Sequence, residues 1–130
     1  MRRRRAFTLV ELLIVILVMA ILMAVAMPLY LAAVAQSERS CCRANMQTLA
    51  TAEQSYRTRN PNFHNYTTTL SNLDPDLTTA PLCVNGGVYS VVISDGTQIA
   101  ENGQIVPAGG LIVYCSYPGH GKYAPSMDSQ

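Results

Sequence analysis

The chain has 130 residues, enough for one small domain, with nine Lys and Arg against eight Asp and Glu and a formal net charge of +1. Four of the basic residues are the arginines at 2–5, so without residues 1–6 five basic side chains face eight acidic ones. Beyond Arg59 the single Lys or Arg is Lys122. Direct binding of nucleic acid needs a basic patch for the phosphates, and this distribution argues against it.

The first predicted element is a membrane-spanning helix. Residues 12–35 hold no charged side chain, and this run of about 24 residues exceeds the roughly 20 that a helix needs to cross a bilayer. The arginines before it predict a cytoplasmic N terminus and an exported C-terminal region. A cleaved secretory signal has a shorter apolar region of about 7–15 residues, so a plain signal anchor is the stronger ordinary alternative.

Two residues of this segment are unusual for a plain anchor. Glu11 lies where the membrane segment begins, and a charge in hydrocarbon costs at least about 2.5–3.5 kcal/mol on insertion scales. We therefore expect Glu11 to have a partner. Pro28 lies inside the apolar run, where it removes a helical hydrogen bond and predicts a kink or local unwinding.

The pattern after Ala35 is that of an amphipathic helix. Apolar residues recur at spacings of three and four, with polar residues between them, and Asn60-Pro61 is a stop signal. One helix is therefore predicted from about residue 7 to residue 59, with its second half packed on a sheet. The stripe that would face the sheet consists of Cys42, Met46, Leu49, Ala52 and Tyr56.

The C-terminal region is predicted to be a small antiparallel sheet. Residues 88–93 and 111–117 have the β-branched and aromatic content of strands, and residues 97–100 form a weaker candidate. The predicted fold class is α+β, with a long N-terminal helix packed on three to four strands. Residues 60–82 are predicted to be a turn-rich connection with one helical turn near residues 70–73, and residues 118–130 an irregular tail.

The segment Phe7-Thr8-Leu9-Val10-Glu11, with the arginines before it and the apolar run after it, resembles the class III signal of type IV pilins and pseudopilins. The resemblance implies that a membrane aspartyl peptidase cuts between Ala6 and Phe7 and methylates the new amine of Phe7. Ala6 stands where the family usually has glycine. Glu11 becomes the fifth residue of the processed chain, and the resemblance implies that it pairs with the amine of a neighbouring subunit. Pro28 falls where many members have a helix-bending proline.

The resemblance implies four segments. These are a cytoplasmic leader that is removed (1–6), a transmembrane and filament-core helix (7–35), its amphipathic continuation (36–60), and a C-terminal β-domain with a connecting loop and an irregular tail (61–130). The implied location is the inner membrane, as a single-pass protein with a cytoplasmic N terminus, and then an extracellular pilus or a periplasmic pseudopilus.

The resemblance also implies a structural function and a set of partners. The chain would polymerise with itself and with other pilin-like subunits, served by a prepilin peptidase, an inner-membrane assembly platform and a motor ATPase, after a stage in membrane lipid. A pseudopilin of a type II secretion or DNA-uptake system is an alternative. A signal-anchored extracytoplasmic enzyme or metal-binding module is a further alternative, although we identify no catalytic residue and no cofactor motif and expect no enzyme.

The four cysteines suggest a covalent staple. Cys83 and Cys115 flank the predicted strands, and a disulfide between them would close a loop of about 32 residues, contributing about 3–4 kcal/mol. Many type IV pilins close their C-terminal region in this way. Pairing of Cys41 with its neighbour Cys42 would be strained, while pairing of Cys42 with Cys83 or Cys115 stays open. A zinc site from Cys41 or Cys42, Cys83, Cys115 and His120 is an alternative. The Cys115-x4-His120 spacing is compatible with zinc, but no Cys-x2-Cys pair supports the site, and we expect no metal.

Overall fold

The computed structural model describes residues 7–60, 65–77, 79–125 and 127–128. Contacts along the backbone divide the chain into two units, Met1–Gln36 and Ser37–Gln130. The expected α+β class is confirmed, because a long N-terminal helix packs on a small three-stranded antiparallel sheet.

Helix α1 spans Leu9–Arg59 and continues through Pro28. Its extent agrees with the predicted helix over residues 7–59. Arg57 and Arg59 lie in the last turn, where positive charge complements the negative end of the helix dipole. After Asn60, residues 61–64 lie outside the described part of the chain.

The first unit is an apolar helical segment whose side chains are open to their surroundings. Every large hydrophobic side chain from Leu9 to Leu31 is 44–79% exposed. The helix is long and apolar enough to cross a membrane. So much exposed apolar surface needs a cover of lipid or of other helices, since burial is worth about 25 cal/mol per Å².

The second unit contains the sheet, in the order β1-β2-β3 with both pairs antiparallel. Strand β1 spans Tyr89–Ile93, β2 spans Leu111–Cys115 and β3 spans Lys122–Tyr123. A short 3-10 helix spans Leu70–Leu73, where one helical turn was predicted.

One sequence expectation about this sheet was wrong, and another was met only in part. The tail was predicted to be irregular, yet its Lys122–Tyr123 segment pairs with β2, because two glycines with positive φ, Gly119 and Gly121, turn the chain back beside it. The weak candidate at residues 97–100 forms only an isolated bridge, between Ile99 and Ile105.

The central strand β2 is buried on both faces, because successive side chains of a strand point to opposite sides. On one face, Leu111 and Val113 pack with the helix stripe, which includes Cys42, Met46 and Leu49. On the other face, Ile112 joins a second small cluster that also contains Ala100, Val106 and Ala124. The predicted stripe is thus the helix face that covers the sheet, and Tyr56 extends it as a partly buried residue.

Glu53 is a buried acid within this packed face that the sequence patterns did not single out. Its side chain is 0% exposed, and Oε2 accepts a hydrogen bond from the Thr67 backbone N–H at 2.9 Å. Oε1 has no hydrogen-bond partner among the described residues. Burial raises the pKa of Glu53 above its usual value of 4.5, and the Thr67 N–H offsets part of this effect.

We expect Glu53→Gln to stabilise the second unit at neutral pH, because glutamine keeps an acceptor for the Thr67 N–H and removes a negative charge whose burial costs at least about 1–3 kcal/mol. The folded-state pKa of Glu53 is raised, so the protonated acid is the form that the fold favours. Its contribution to stability is fully present below pH 4.5 and is lost as the pH rises through the folded-state pKa. The variant mimics the protonated acid, so its advantage should vanish at low pH. Thermal unfolding of the full chain in mild detergent, followed by tyrosine circular dichroism from pH 4 to pH 8, measures this difference.

The matched control is Glu101→Gln, which removes an exposed carboxylate that contacts Arg43 at 3.0 Å. An exposed pair is worth about 0–1 kcal/mol, so its pH profile should follow that of the wild type. Parallel profiles for the wild type and Glu53→Gln would contradict the assignment of a raised pKa to Glu53.

Candidate functional site

The start of α1 is organised by Thr8 and Glu11. The Thr8 N–H and Oγ1–H both donate to Glu11 Oε2 at 2.9 Å, and the Glu11 N–H donates back to Thr8 Oγ1 at 3.3 Å. This reciprocal arrangement is a capping box, with Thr8 as the N-cap and Glu11 as the third helical residue. It satisfies two backbone donors that the first helical turn would otherwise leave without partners.

Glu11 therefore has a partner inside its own chain. From the sequence we expected a partner only on a neighbouring subunit and overlooked this role, although the Thr8-x-x-Glu11 spacing is itself the sequence signature of a capping box. Capping explains why an acid is tolerated at this position, and it leaves the negative charge near the Phe7 end of the helix. Phe7 is 76% exposed, and Ala6, on the other side of the predicted cut, lies outside the described residues.

The second unit contains a buried cluster of three cysteines and one histidine. Cys42, Cys83, Cys115 and His120 are all buried, and their sulfur and ring-nitrogen atoms lie within 4.8 Å of one another. Cys42 Sγ is 3.3 Å from Cys83 Sγ, while His120 Nδ1 is 3.4 Å from Cys83 Sγ and 3.8 Å from Cys115 Sγ. Four segments supply these residues, namely α1, the loop before β1, the end of β2 and the β2–β3 turn.

A hydrogen-bond chain leads into the cluster from the helix. Asn45 Nδ2 donates to Tyr89 Oη at 3.1 Å, Tyr89 Oη donates to Cys42 Sγ at 3.3 Å, and Cys42 Sγ donates to Cys83 Sγ. Cys83 Sγ is the final acceptor in this series of hydrogen bonds. Burial and the hydrogen bond to Cys42 raise the pKa of Tyr89, so the phenol keeps its proton and acts as a donor.

The three clustered thiols differ in acidity. Burial raises the pKa of Cys83, but hydrogen bonds from Cys42 and from the backbone N–H groups of Asn85 and Gly87 outweigh it and lower the pKa to about 6. Burial raises the pKa of Cys42 and brings the pKa of Cys115 to about 11. The arrangement thus favours one negative charge, placed on Cys83.

Gly87 allows the loop of Cys83 to approach the end of β2. A Cβ at this position would lie 2.8 Å from Tyr117 Cβ and 2.9 Å from Cys115 Sγ, closer than real side chains approach. The preceding Gly86 has φ +78° and closes a turn in which its N–H donates to the Cys83 carbonyl at 3.1 Å. This Gly86-Gly87 pair brings two distant cysteines into one site.

The structure contains no Cys83–Cys115 disulfide, because all four cysteines are free thiols. The two sulfurs are nevertheless close neighbours in the cluster, and the pairing stays a prediction. Cys41 is exposed and lies outside the cluster, whereas Cys42 is buried in it. Sequence spacing alone could not decide between Cys41 and Cys42 as the cluster member, because the answer depends on which helix face covers the sheet.

Comparison with protein families identifies the N-terminal region. Residues 1–27 match the family model described as the prokaryotic N-terminal methylation motif. Comparison with curated proteins and with solved structures gave no significant match. The predicted resemblance is confirmed, because this motif is the prepilin-type signal of pilin and pseudopilin precursors.

The motif is a prepilin-type signal, and together with the apolar helix it supports a membrane-anchored precursor. The signal implies processing by a prepilin peptidase and, in general terms, partners for pilin-type assembly. The matched residues 1–27 include the helix start with its capping box, and they include none of the residues of the Cys/His cluster.

Proposed function

We propose that this protein is a structural subunit that is cut between Ala6 and Phe7, methylated at Phe7 and polymerised into a type IV pilus or a related filament. The observation that carries the proposal is the methylation motif over residues 1–27. The exposed apolar surface of Leu9–Leu31 supports it, since such a surface suits both a lipid environment and packing among like helices.

The proposed mechanism begins in the inner membrane, with the arginines at 2–5 in the cytoplasm and the β-domain on the far side. Cleavage removes these arginines and creates a positive amine on Phe7. A Glu11 carboxylate and the Phe7 amine of a neighbour would then pair in an apolar surrounding, where an unpaired charge is costly. That pairing would set the axial position of each new subunit.

In this proposal the chain performs no catalysis. An assembly platform and a motor ATPase of the inner membrane would supply the work, and the second unit, Ser37–Gln130, would be displayed along the filament. The motif is common to pilins and pseudopilins, so a pseudopilus of a secretion or DNA-uptake system is the alternative location for the same assembly chemistry.

Processing is the first test. We expect co-expression of the full chain with a prepilin peptidase to yield a product that begins at Phe7 and carries one added methyl group, measured by intact mass and N-terminal fragmentation. Ala6→Gly should be processed at least as fast, because glycine is smaller still. Ala6→Ile should stay uncut, because a β-branched side chain does not fit a site for small residues.

An uncut Met1 terminus in the presence of active peptidase would overturn the proposal, as would a cut after residue 20. Electron microscopy of sheared filaments, with detection of this subunit, then distinguishes a surface pilus from a pseudopilus that remains inside the envelope.

A further inference from the structure

We propose that Cys42, Cys83, Cys115 and His120 bind one Zn²⁺ ion in a structural Cys3His site. Neither the methylation motif nor the proposed polymerisation uses these residues, so this inference is independent of both. The four side chains are buried together, and their ligand atoms lie within 4.8 Å of one another.

The distances fit a tetrahedral ion. With Zn–S near 2.3 Å and Zn–N near 2.0–2.1 Å, the ligand atoms of a tetrahedral site lie about 3.5–3.8 Å apart. The separations in the cluster are 3.3 Å for Cys42 Sγ–Cys83 Sγ, 3.4 Å for Cys83 Sγ–His120 Nδ1 and 3.8 Å for Cys115 Sγ–His120 Nδ1. Three of the six ligand-atom separations are thus near the spacing that the ion needs, and the other three are at most 4.8 Å, which a small movement of the side chains would close.

The ligand set also fits the chemistry of zinc. Three sulfurs and one imidazole nitrogen in a closed tetrahedron are typical of structural zinc sites, whereas calcium and magnesium prefer oxygen ligands. Binding would displace the proton of each thiol that still carries one, so up to three protons leave for each ion. Zn²⁺ with three thiolates and a neutral imidazole carries one negative charge, towards which Tyr89 Oη already donates, 3.3 Å from Cys42 Sγ.

The positions of the ligands give the ion a structural role. Cys42 lies on α1, Cys83 precedes β1, Cys115 ends β2 and His120 lies in the turn before β3. One ion would therefore join the helix, both longer strands and the final turn. A disulfide would use only two of the three buried sulfurs and would leave His120 outside the link.

The test uses the full chain purified in mild detergent without chelator, with metal content measured by plasma mass spectrometry. We expect about one zinc ion per chain, the stoichiometry of a Cys3His site. Cys83→Ser and Cys115→Ser should weaken zinc retention against a competing chelator at least about tenfold, since even the loss of a residue that only supports a ligand costs about 10–100-fold in affinity. Cys41→Ser is the matched control and should keep the ion, because Cys41 is exposed and outside the cluster.

Two further measurements keep the proposal testable if a cysteine variant fails to fold. His120→Asn leaves three thiols in place and should still show tyrosine circular dichroism of a folded domain, with weaker zinc retention against a competing chelator. Replacement of zinc by Co²⁺ should give the visible absorption bands of tetrahedral cobalt and a thiolate charge-transfer band, which Cys41→Ser keeps and Cys115→Ser loses.

Two results would overturn the proposal. One is unchanged zinc retention in the Cys83→Ser and Cys115→Ser variants, which would place the metal elsewhere. The other is metal-free wild-type protein that contains a disulfide between any two of Cys42, Cys83 and Cys115, detected by alkylation and peptide mass mapping.

Discussion

Glu11→Gln should abolish filament assembly while the protein remains in the membrane. Glutamine at this position can still accept the Thr8 N–H, because the capping box takes either Glu or Gln. The change therefore removes the charge and leaves the helix start intact. If the amine of a neighbouring Phe7 loses its counter-charge in an apolar core, each subunit contact weakens by about 3–5 kcal/mol, more than a hundredfold in its equilibrium constant.

Thr8→Ala is the matched variant, because it keeps the charge and removes the side-chain cap. Loss of an N-cap costs about 1 kcal/mol of local helix stability, so filaments should still form. Sheared-filament yield is compared with the amount of each variant in the membrane fraction. Normal filaments from Glu11→Gln, together with failure of Thr8→Ala, would show that Glu11 acts by capping and not by pairing between subunits.

Gly87→Ala should destabilise the second unit by about 2–3 kcal/mol, the upper range for overpacking a close contact. The added Cβ would meet Tyr117 Cβ at 2.8 Å and Cys115 Sγ at 2.9 Å. The added Cβ would also lie 3.0 Å from the Tyr117 backbone N, and neither this nitrogen nor the Tyr117 Cβ can swing aside by a rotamer change, so the loop must move away from β2. Thermal unfolding of the full chain, followed by the signal of its seven tyrosines in the absence of tryptophan, measures the loss.

The neighbouring Gly86→Ala supplies the comparison. A Cβ at Gly86 meets nothing within 4 Å, so only the φ of +78° opposes it, at a cost of about 1 kcal/mol. A smaller loss for Gly87→Ala than for Gly86→Ala would contradict the close approach of the two cysteine segments. The Gly87 change should also weaken zinc retention, because it pushes Cys83 and Cys115 apart.

Sequence patterns predicted the long elements well. The extent of α1, the stripe through Cys42, Met46 and Leu49, and both longer strands follow from residue periodicity and β-branched content, which act locally. The Thr8–Glu11 cap is equally local, since its Thr-x-x-Glu spacing is visible in the sequence. The methylation signal was predictable because its order and spacing are fixed along the chain.

The Cys/His cluster could be named from the sequence only as a disfavoured zinc alternative to a disulfide, with the choice between Cys41 and Cys42 open. Its members come from segments that only the folded sheet brings together, and no short Cys-x2-Cys pair marks them. Strand β3 was missed for a related reason, since its two residues gain their place from the turn at Gly119 and Gly121 and from pairing with β2. Glu53 was missed because an acid on a helix is ordinarily exposed.

The position of β2 in the chain has a consequence for biogenesis. β2 is the middle strand of the sheet, yet it follows the helix stripe by a long stretch of sequence. During synthesis, Met46 and Leu49 emerge from the ribosome well before Leu111 and Val113, the β2 residues that cover them. The packing of the second unit is therefore complete only after β2 has been synthesised, and until then the apolar side chains of the helix stripe lack their cover.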